Sequence, residues 1–217
     1  LRAVALLYPC AVISGRARAD LATRLARIPL AMLIGNHGAE TGSGPPPPNV
    51  RTQVRAWVAA LREALRQDGI EIEDKGFTVA VHYRRAPDPA QAHRRVLSLA
   101  SALPGARVFG GHAVVNLAPV GASTKADGIA AFAARFPAAP LLFAGDDDTD
   151  EDAFRSPLVT YAIRVGRAET TAAPYRLEGQ VDVDHLLSAL VTERAQVAGL
   201  RDGWRDVDSP LKLDGAE

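Results

Sequence analysis

Six carboxylates crowd into seven consecutive positions of this chain: Asp146, Asp147, Asp148, Asp150, Glu151 and Asp152. They follow the apolar run Pro140-Leu-Leu-Phe-Ala144 and a single glycine, so the pattern puts them where a buried strand ends. In open α/β sheets that carboxyl edge is where ligands bind. Carboxylates this close repel one another unless a cation offsets them. Mg²⁺ suits such a loop, because it takes oxygen ligands, keeps several waters and commonly uses one or two protein carboxylates. Asp146, the first acid after the glycine, is the expected ligand. The others would order waters or favour the N-terminus of the next helix.

Two further elements could serve a phosphate. Ser14-Gly15-Arg16 follows a short apolar run, and a Ser on a glycine turn can offer its hydroxyl and neighbouring N–H groups to a phosphate oxygen. Lys125 opens a helical pattern shortly before the acidic strand and can hold a phosphate as a point charge. Taken alone, the Ser-Gly turn is as readily a helix start and the lysine a surface residue. Between them lie long polar side chains suited to sugar hydroxyls: Glu73, Lys75, His82, Tyr83 and Arg84, with Asn36, His37 and Glu40 at a hinge. The same residues would also suit the ordinary wet face of a half-buried sheet. His82 and Tyr83 are adjacent on a strand, so at most one faces a given ligand. Zinc is disfavoured, since no His-x-x-x-His or Glu-x-x-His spacing occurs.

The elements that must position these groups fall into three stretches. The first, 1–42, reads as a helix to Leu7, an apolar strand Cys10-Ala-Val-Ile13, a helix from Asp20 to Arg27 and a second apolar strand Leu30-Ala-Met-Leu-Ile34. That βαβ pattern predicts a parallel sheet buried on both faces. After the turn-rich connector Gly42-Ser-Gly-Pro-Pro-Pro-Pro-Asn49, residues 43–118 read as an inserted α+β unit. Its helix from Val50 to Gln67 carries Val54, Trp57, Val58, Leu61 and Leu65 on one stripe. Alternating strands follow at Ile70–Lys75 and Phe77–Tyr83, then a helix from Pro89 to Ala102 and strand again from Ala106 to Leu117 around a Gly110-Gly111 turn. The third stretch, 119–195, returns to the first pattern, with a helix from Thr124 to Phe136, the acidic strand, a strand Tyr161-Ala-Ile-Arg-Val165 and a helix from Val183 to Arg194. Residues 196–217 read as a charged tail, frayed after Asp202.

Lys plus Arg equals Asp plus Glu at 25 each among 217 residues, so no overall field draws the chain to nucleic acid or membrane. No apolar run nears the roughly 20 residues of a membrane span. A cytoplasmic protein acting on a small molecule is the default expectation. Cys10 is the sole cysteine and sits in an apolar run, where a packed thiol is expected rather than a nucleophile.

Four motifs, Ala11-Val-Ile-Ser-Gly-Arg16, Gly35-Asn-His-Gly-Ala-Glu40, Val81-His-Tyr-Arg84 and Gly145-Asp-Asp-Asp-Thr-Asp-Glu-Asp-Ala-Phe154, resemble in order and spacing those of the trehalose-6-phosphate phosphatases of the haloacid-dehalogenase superfamily. The last resembles that family's Gly-Asp-Asp-x-Thr-Asp-Glu signature. The resemblance covers nearly the whole chain to about Ala195. It implies a Rossmann-like parallel-sheet core with an inserted α+β cap, and Mg²⁺-dependent hydrolysis of trehalose 6-phosphate to trehalose and phosphate. Carried over, it implies that Ser14 binds the phosphoryl group and Lys125 neutralises its charge. Asp146 would ligate Mg²⁺, with Asp147 and Asp150, the other residues assigned to the metal site, supporting the loop. Arg16, Asn36, His37, Lys75, His82, Arg84 and Asn116 would lie towards the sugar phosphate.

The chain also departs from the family. The Asp-x-Asp-Gly-Thr motif, which supplies the nucleophilic Asp of the aspartyl-phosphate and the Asp acting as general acid and base, does not occur in it. The expectation is that this strand precedes Leu1 and that the chain as given does not turn over. A non-catalytic sugar-phosphate-binding or regulatory relative is the alternative, as is a phosphatase for another sugar phosphate. The insert's last strand reads Val114-Val-Asn116 where the family usually has Glu, and the lysine motif reads Lys125-Ala-Asp-Gly128 rather than Lys-Gly.

Overall fold

The computed structural model describes residues 1–42, 44–66, 69–111 and 113–197. Helix α1 (Arg2–Leu7) precedes a βαβ unit of strand β1 (Ala11–Ile13), helix α2 (Arg18–Arg24) and strand β2 (Met32–Ile34). The two strands pair in parallel, Ala11 with Met32 and Ile13 with Ile34. A 3-10 turn, Asn36–Gly38, follows β2 at once.

The insert comprises helix α3 (Pro48–Ala64), strands β3 (Glu71–Asp74) and β4 (Val79–His82), helix α4 (Pro89–Ser101), and strands β5 (Ala106–Gly111) and β6 (Val114–Pro119). Its four strands form one antiparallel sheet in the order β3-β4-β6-β5. Alternation explains the sheet's two faces. One face presents Ile72, Val79, Val81, Val108, Val115 and Leu117 to the stripe Val54, Trp57, Val58 and Leu61 of α3 and to Val96 of α4. The other carries Glu73, His82, Asn116, Phe109 and Arg107. Asp88 caps α4 by accepting from Gln91 N–H at 2.9 Å. The glycine pair is not the turn expected from the sequence. Gly110 and Gly111 lie on β5, opposite Val115 and Val114, and the reversal is made beyond them, with Ala113 at φ 56°. Glycine is permitted in a strand, and the pairing register decides.

The chain then returns through helix α5 (Lys125–Ala133), strand β7 (Leu142–Gly145), a 3-10 turn (Asp148–Asp150), the short helix α6 (Glu151–Phe154), strands β8 (Tyr161–Val165) and β9 (Tyr175–Leu177), and helix α7 (Gln180–Val197). The strands β7-β8-β9 form a second parallel sheet. β9 lacks an apolar run and was not anticipated. α7 begins before Val183, and α1 rests on it, with Tyr8 Oη donating to the Leu190 carbonyl at 3.1 Å. The expectation of strands buried on both faces does not hold here. β1 is half-buried throughout and Leu142 is 39% exposed. β1 and β7 belong to separate sheets and each has one edge without a strand partner among the described residues, so side chains there stay partly open. The charged tail after Asp202 lies outside the described residues. No helix among them is long and apolar enough to cross a membrane.

Candidate active site

Ser14 stands at the carboxyl end of β1, and its backbone locks two motifs together. Its N–H donates to the Ile34 carbonyl at 3.0 Å, and its carbonyl accepts from His37 N–H at 2.9 Å. The side-chain oxygen accepts from Arg16 N–H at 3.3 Å, an ST-type turn that aims the hydroxyl past the strand end. Glycine is required next: a Cβ on Gly15 would run into the His37 ring. Asn36 and His37 both adopt left-handed backbone, at φ 50° and 57°. Asn36 is held there because its amide nitrogen donates to Glu40 Oε2 at 2.8 Å and its amide oxygen accepts from Thr78 Oγ1 at 2.8 Å. Glu40 also accepts from Arg18 N–H at 2.8 Å.

Lys125 sits at the first position of α5, fixed by a capping box in which Thr124 N–H donates to Asp127 Oδ2 at 2.7 Å. It is buried, and its ammonium donates to Asp150 Oδ1 at 2.7 Å. The second Asp150 oxygen accepts from Asp147 N–H at 2.8 Å. Gly145 must be glycine, because a Cβ would collide with the Asp150 carboxyl group. Beneath the loop, buried Arg164 of β8 donates to the Asp147 carbonyl at 3.0 Å and lies 3.8 Å from Glu151. Burial raises the Asp147 carboxyl above its ordinary range, with the Asp148 N–H opposing.

The insert's polar face lies over this edge. Lys75 Nζ donates to the Gly15 carbonyl at 2.9 Å, and burial pulls its pKa down, with Glu73 opposing. The Phe109 ring meets His37 edge-on, centroids 4.8 Å apart. His37 is pushed down to about 3, first by burial and then by Lys125, Lys75 and Arg107, so it is neutral at physiological pH. His37, Arg107, Phe109, Thr124, Lys125, Thr149 and Asp152 line a partly open cavity of about 10 Å³.

Several expected sugar contacts sit elsewhere or are occupied. Asn36 has both ends of its amide engaged and joins the strand end to the insert, so it is a brace. Arg16 points to solvent and pairs with Asp20 at 2.9 Å. His82 shares Glu73 Oε2 at 2.9 Å. Arg84 lies in the exposed turn after β4, while Tyr83 stacks on His93, centroids 5.2 Å apart, away from the polar face. Asn116 is buried on the polar face, across from Phe109. Arg107, Phe109, Thr149 and Arg164 were not singled out from the sequence. The alternation of β5 could have flagged Arg107 and Phe109. Arg164 on an apolar strand two residues from Gly166 gave no comparable signal.

A protein-family model described as trehalose-phosphatase matches residues 1–180. The chain belongs to the trehalose-phosphatase family. Among its relatives, this trehalose-phosphatase family member is 34% identical over 232 residues to an uncharacterized glycosyl hydrolase of Mycobacterium tuberculosis, covering 94% of the chain but 17% of that protein. It is 32% identical over 209 residues to the trehalose-6-phosphate phosphatase of Escherichia coli, covering 86% of the chain and 73% of that protein. A solved trehalose-6-phosphate phosphatase related protein superposes with TM-score 0.69 at 20% identity, over 90% of this chain and 86% of that one. The fold is the α/β, Rossmann-like parallel-strand core of the haloacid-dehalogenase superfamily with an inserted α+β unit.

Family membership makes the fit of the acidic loop to Mg²⁺ a specific question. Among the described residues no three His, Cys, Asp or Glu side chains are grouped to hold a metal ion. Asp150, expected at the metal, has both oxygens occupied by Lys125 and Asp147 N–H, and so acts as a strut. Asp146 is exposed at the strand end, and Asp147 spends one oxygen on Asp148 N–H at 2.8 Å. One or two carboxylates with waters fit the modest protein share that Mg²⁺ commonly takes.

Proposed function

We propose that this chain carries the phosphate-binding, magnesium-holding and sugar-facing parts of a phosphatase that releases phosphate from trehalose 6-phosphate. The observation that carries this reading is the junction at His37, where the Ser14 strand end, the buried Lys125 and the insert's polar face meet beside the acidic loop. Lys125 gives one of its three N–H donors to Asp150 and keeps two for a phosphate oxygen. The Ser14 hydroxyl, already accepting from Arg16 N–H, is free to donate to a second oxygen. Neutral His37 adds shape without charge. Mg²⁺ held by Asp146 and Asp147 would supply further neutralisation of the phosphoryl oxygens. This is the division of labour phosphoryl transfer needs: positioning and charge compensation rather than elaborate covalent chemistry.

No Asp-x-Asp-Gly-Thr motif, the family's source of the nucleophile, occurs among these 217 residues. The activity is therefore proposed for a protein in which an Asp-x-Asp-Gly-Thr strand joins this site, and the 217 residues alone are expected to bind without turnover. Phosphate release from trehalose 6-phosphate, assayed with Mg²⁺ and with EDTA, tests the proposal. Mg²⁺-dependent release is expected when that strand is present, and none without it. Release from another sugar phosphate but not from trehalose 6-phosphate would remove the substrate and keep the chemistry. Asn116 favours keeping that second arm, since its amide both donates and accepts where the family's Glu only accepts.

A further inference from the structure

Arg107 has no part in the chemistry described so far. It lies on β5 across from Ala118 of β6, and Phe109 lies across from Asn116. Residues two apart on a strand share a face, so both stand on the insert's polar face above the strand ends. Phe109 meets His37 edge-on and also carries the guanidinium, with Arg107 Cζ 5.2 Å from its ring centroid. The aromatic ring props the cation against the cavity it shares with Lys125.

That cavity, about 10 Å³, has room for about one water-sized group. Three of the residues that line it each carry a buried side-chain atom without a hydrogen-bond partner among the described residues: His37 Nδ1, Arg107 Nε and Thr149 Oγ1. Buried polar atoms are seldom left so, and three on residues that share one small space are the ground for placing an oxygen atom there. The charges say what that oxygen belongs to. Arg107 and Lys125 both line the cavity, Lys75 also bears on His37, and Asp150 is neutralised by Lys125. Asp152 is the one carboxylate on the lining, and it is exposed. A guanidinium presents several N–H donors in a planar fork matched to phosphate oxygens.

We propose that Arg107 is an insert-borne contact to the phosphoryl group of the substrate, closing over the anion that Lys125 holds from the parallel-strand side. The proposal rests on the phosphatase reading for its substrate, but not for its anion. The cavity has room for about one oxygen, so a single phosphoryl oxygen would stand between Arg107 and Lys125.

Calorimetric titration of the chain with inorganic phosphate and with trehalose 6-phosphate tests this, using the parent, Arg107→Ala, Arg107→Lys and Arg62→Ala. Arg62 is exposed on α3, which packs on the opposite, apolar face of the insert sheet, and it controls for charge alone. Arg107→Ala should weaken both ligands about tenfold or more, as loss of a charge-assisted hydrogen bond does. Arg107→Lys should recover part of the loss, and Arg62→Ala should match the parent. Unchanged phosphate affinity in Arg107→Ala would overturn the proposal, leaving the three atoms to share a structural water. Loss confined to trehalose 6-phosphate would equally overturn it, moving Arg107 to the sugar. If the parent binds phosphate in an Arg107-dependent way but not trehalose 6-phosphate, the Arg107 contact stands and the substrate reading fails. A parent that binds neither anion sinks both.

Discussion

Leu117, in the insert, is fully enclosed, whereas Leu142, on the strand that leads into the acidic loop, is 39% exposed. The contrast runs through both regions. In the insert, Val79, Val81, Val96, Val115 and Leu117 are sealed between the sheet and two helices. Among the parallel strands β1 has no buried residue, and much of what is buried near the strand ends is polar: Asn36, His37, Lys125, Asp150 and Arg164. Apolar packing therefore sets the geometry of the insert, and hydrogen bonds and ion pairs set the geometry of the site. Polar substitutions should be most damaging in one region and apolar truncations in the other.

The largest effect is expected from Lys125→Ala. It leaves the Asp150 carboxylate buried beside Asp147 N–H with no cation, and breaking a buried pair from one side typically costs about 3–5 kcal/mol. Phosphate binding should go with it. Asp150→Asn in the same chain should restore part of the stability but not the binding, which separates the two losses. A stability change below about 1 kcal/mol, measured by urea unfolding, would mean the pair is hydrated in solution and would break the comparison. Next comes an apolar pair. Leu117→Ala should cost about 2–5 kcal/mol and Leu142→Ala under about 1 kcal/mol, because the latter side chain is already partly in water. Equal losses would mean that the two regions are packed alike.

How much of this was legible beforehand follows the same division. The insert's alternating strands and the α3 stripe were readable because a dry and a wet face impose a period of two or 3.6. The apolar strands β1, β2 and β7 were readable as strands, yet their burial was overestimated, since composition does not reveal whether a strand's edge is covered. The acidic loop announced itself and its first acid, Asp146, but not that both oxygens of Asp150 are engaged. Asp150 is distinguished from Asp146 by its burial, by the Asp147 N–H and by a lysine 25 residues earlier in the chain. Asn36 looked like a ligand contact because a polar residue after a strand has that look, and its bonds to Glu40 and Thr78 are long-range facts. Arg107 was hidden for the opposite reason: nothing in Ala106-Arg-Val-Phe109 says that its wet face is turned to a second part of the molecule.

His37 gives a smaller, pH-dependent effect. Its folded pKa is pushed to about 3, below the value near 6.5 expected once unfolded. The stability it contributes is thus fully present above pH 6.5 and is lost as pH falls towards 3. Between pH 6.5 and 4.5 the loss attributable to this group is about 2–3 kcal/mol. Carboxylates titrate in the same range, so the informative quantity is the difference between the parent and His37→Gln. The variant should show a shallower decline across that window, and parallel curves would show that His37 is solvated and that the insert does not stay closed over it.

The smallest effect is expected at Arg16, and it sharpens the comparison because Arg16 and Arg107 are the same residue in the two regions. Arg16 follows the phosphate-binding turn in sequence, yet its guanidinium is turned to Asp20, one helical turn away, and Asp20 also accepts from Arg24 at 2.8 Å. Both arginines hold the Asp20 carboxyl below its usual range, so the pair is formed but exposed. Exposed pairs of this kind are screened by salt and contribute little. Arg16→Ala should leave the melting temperature indistinguishable from the parent and phosphate affinity within about twofold, whereas Arg107→Ala should lower that affinity about tenfold. If Arg16→Ala instead matches the loss at Arg107, the Asp20 pair opens on ligand binding and both walls grip the anion. The difference between an arginine placed by proximity in sequence and one placed by the insert's fold would then vanish in the bound state.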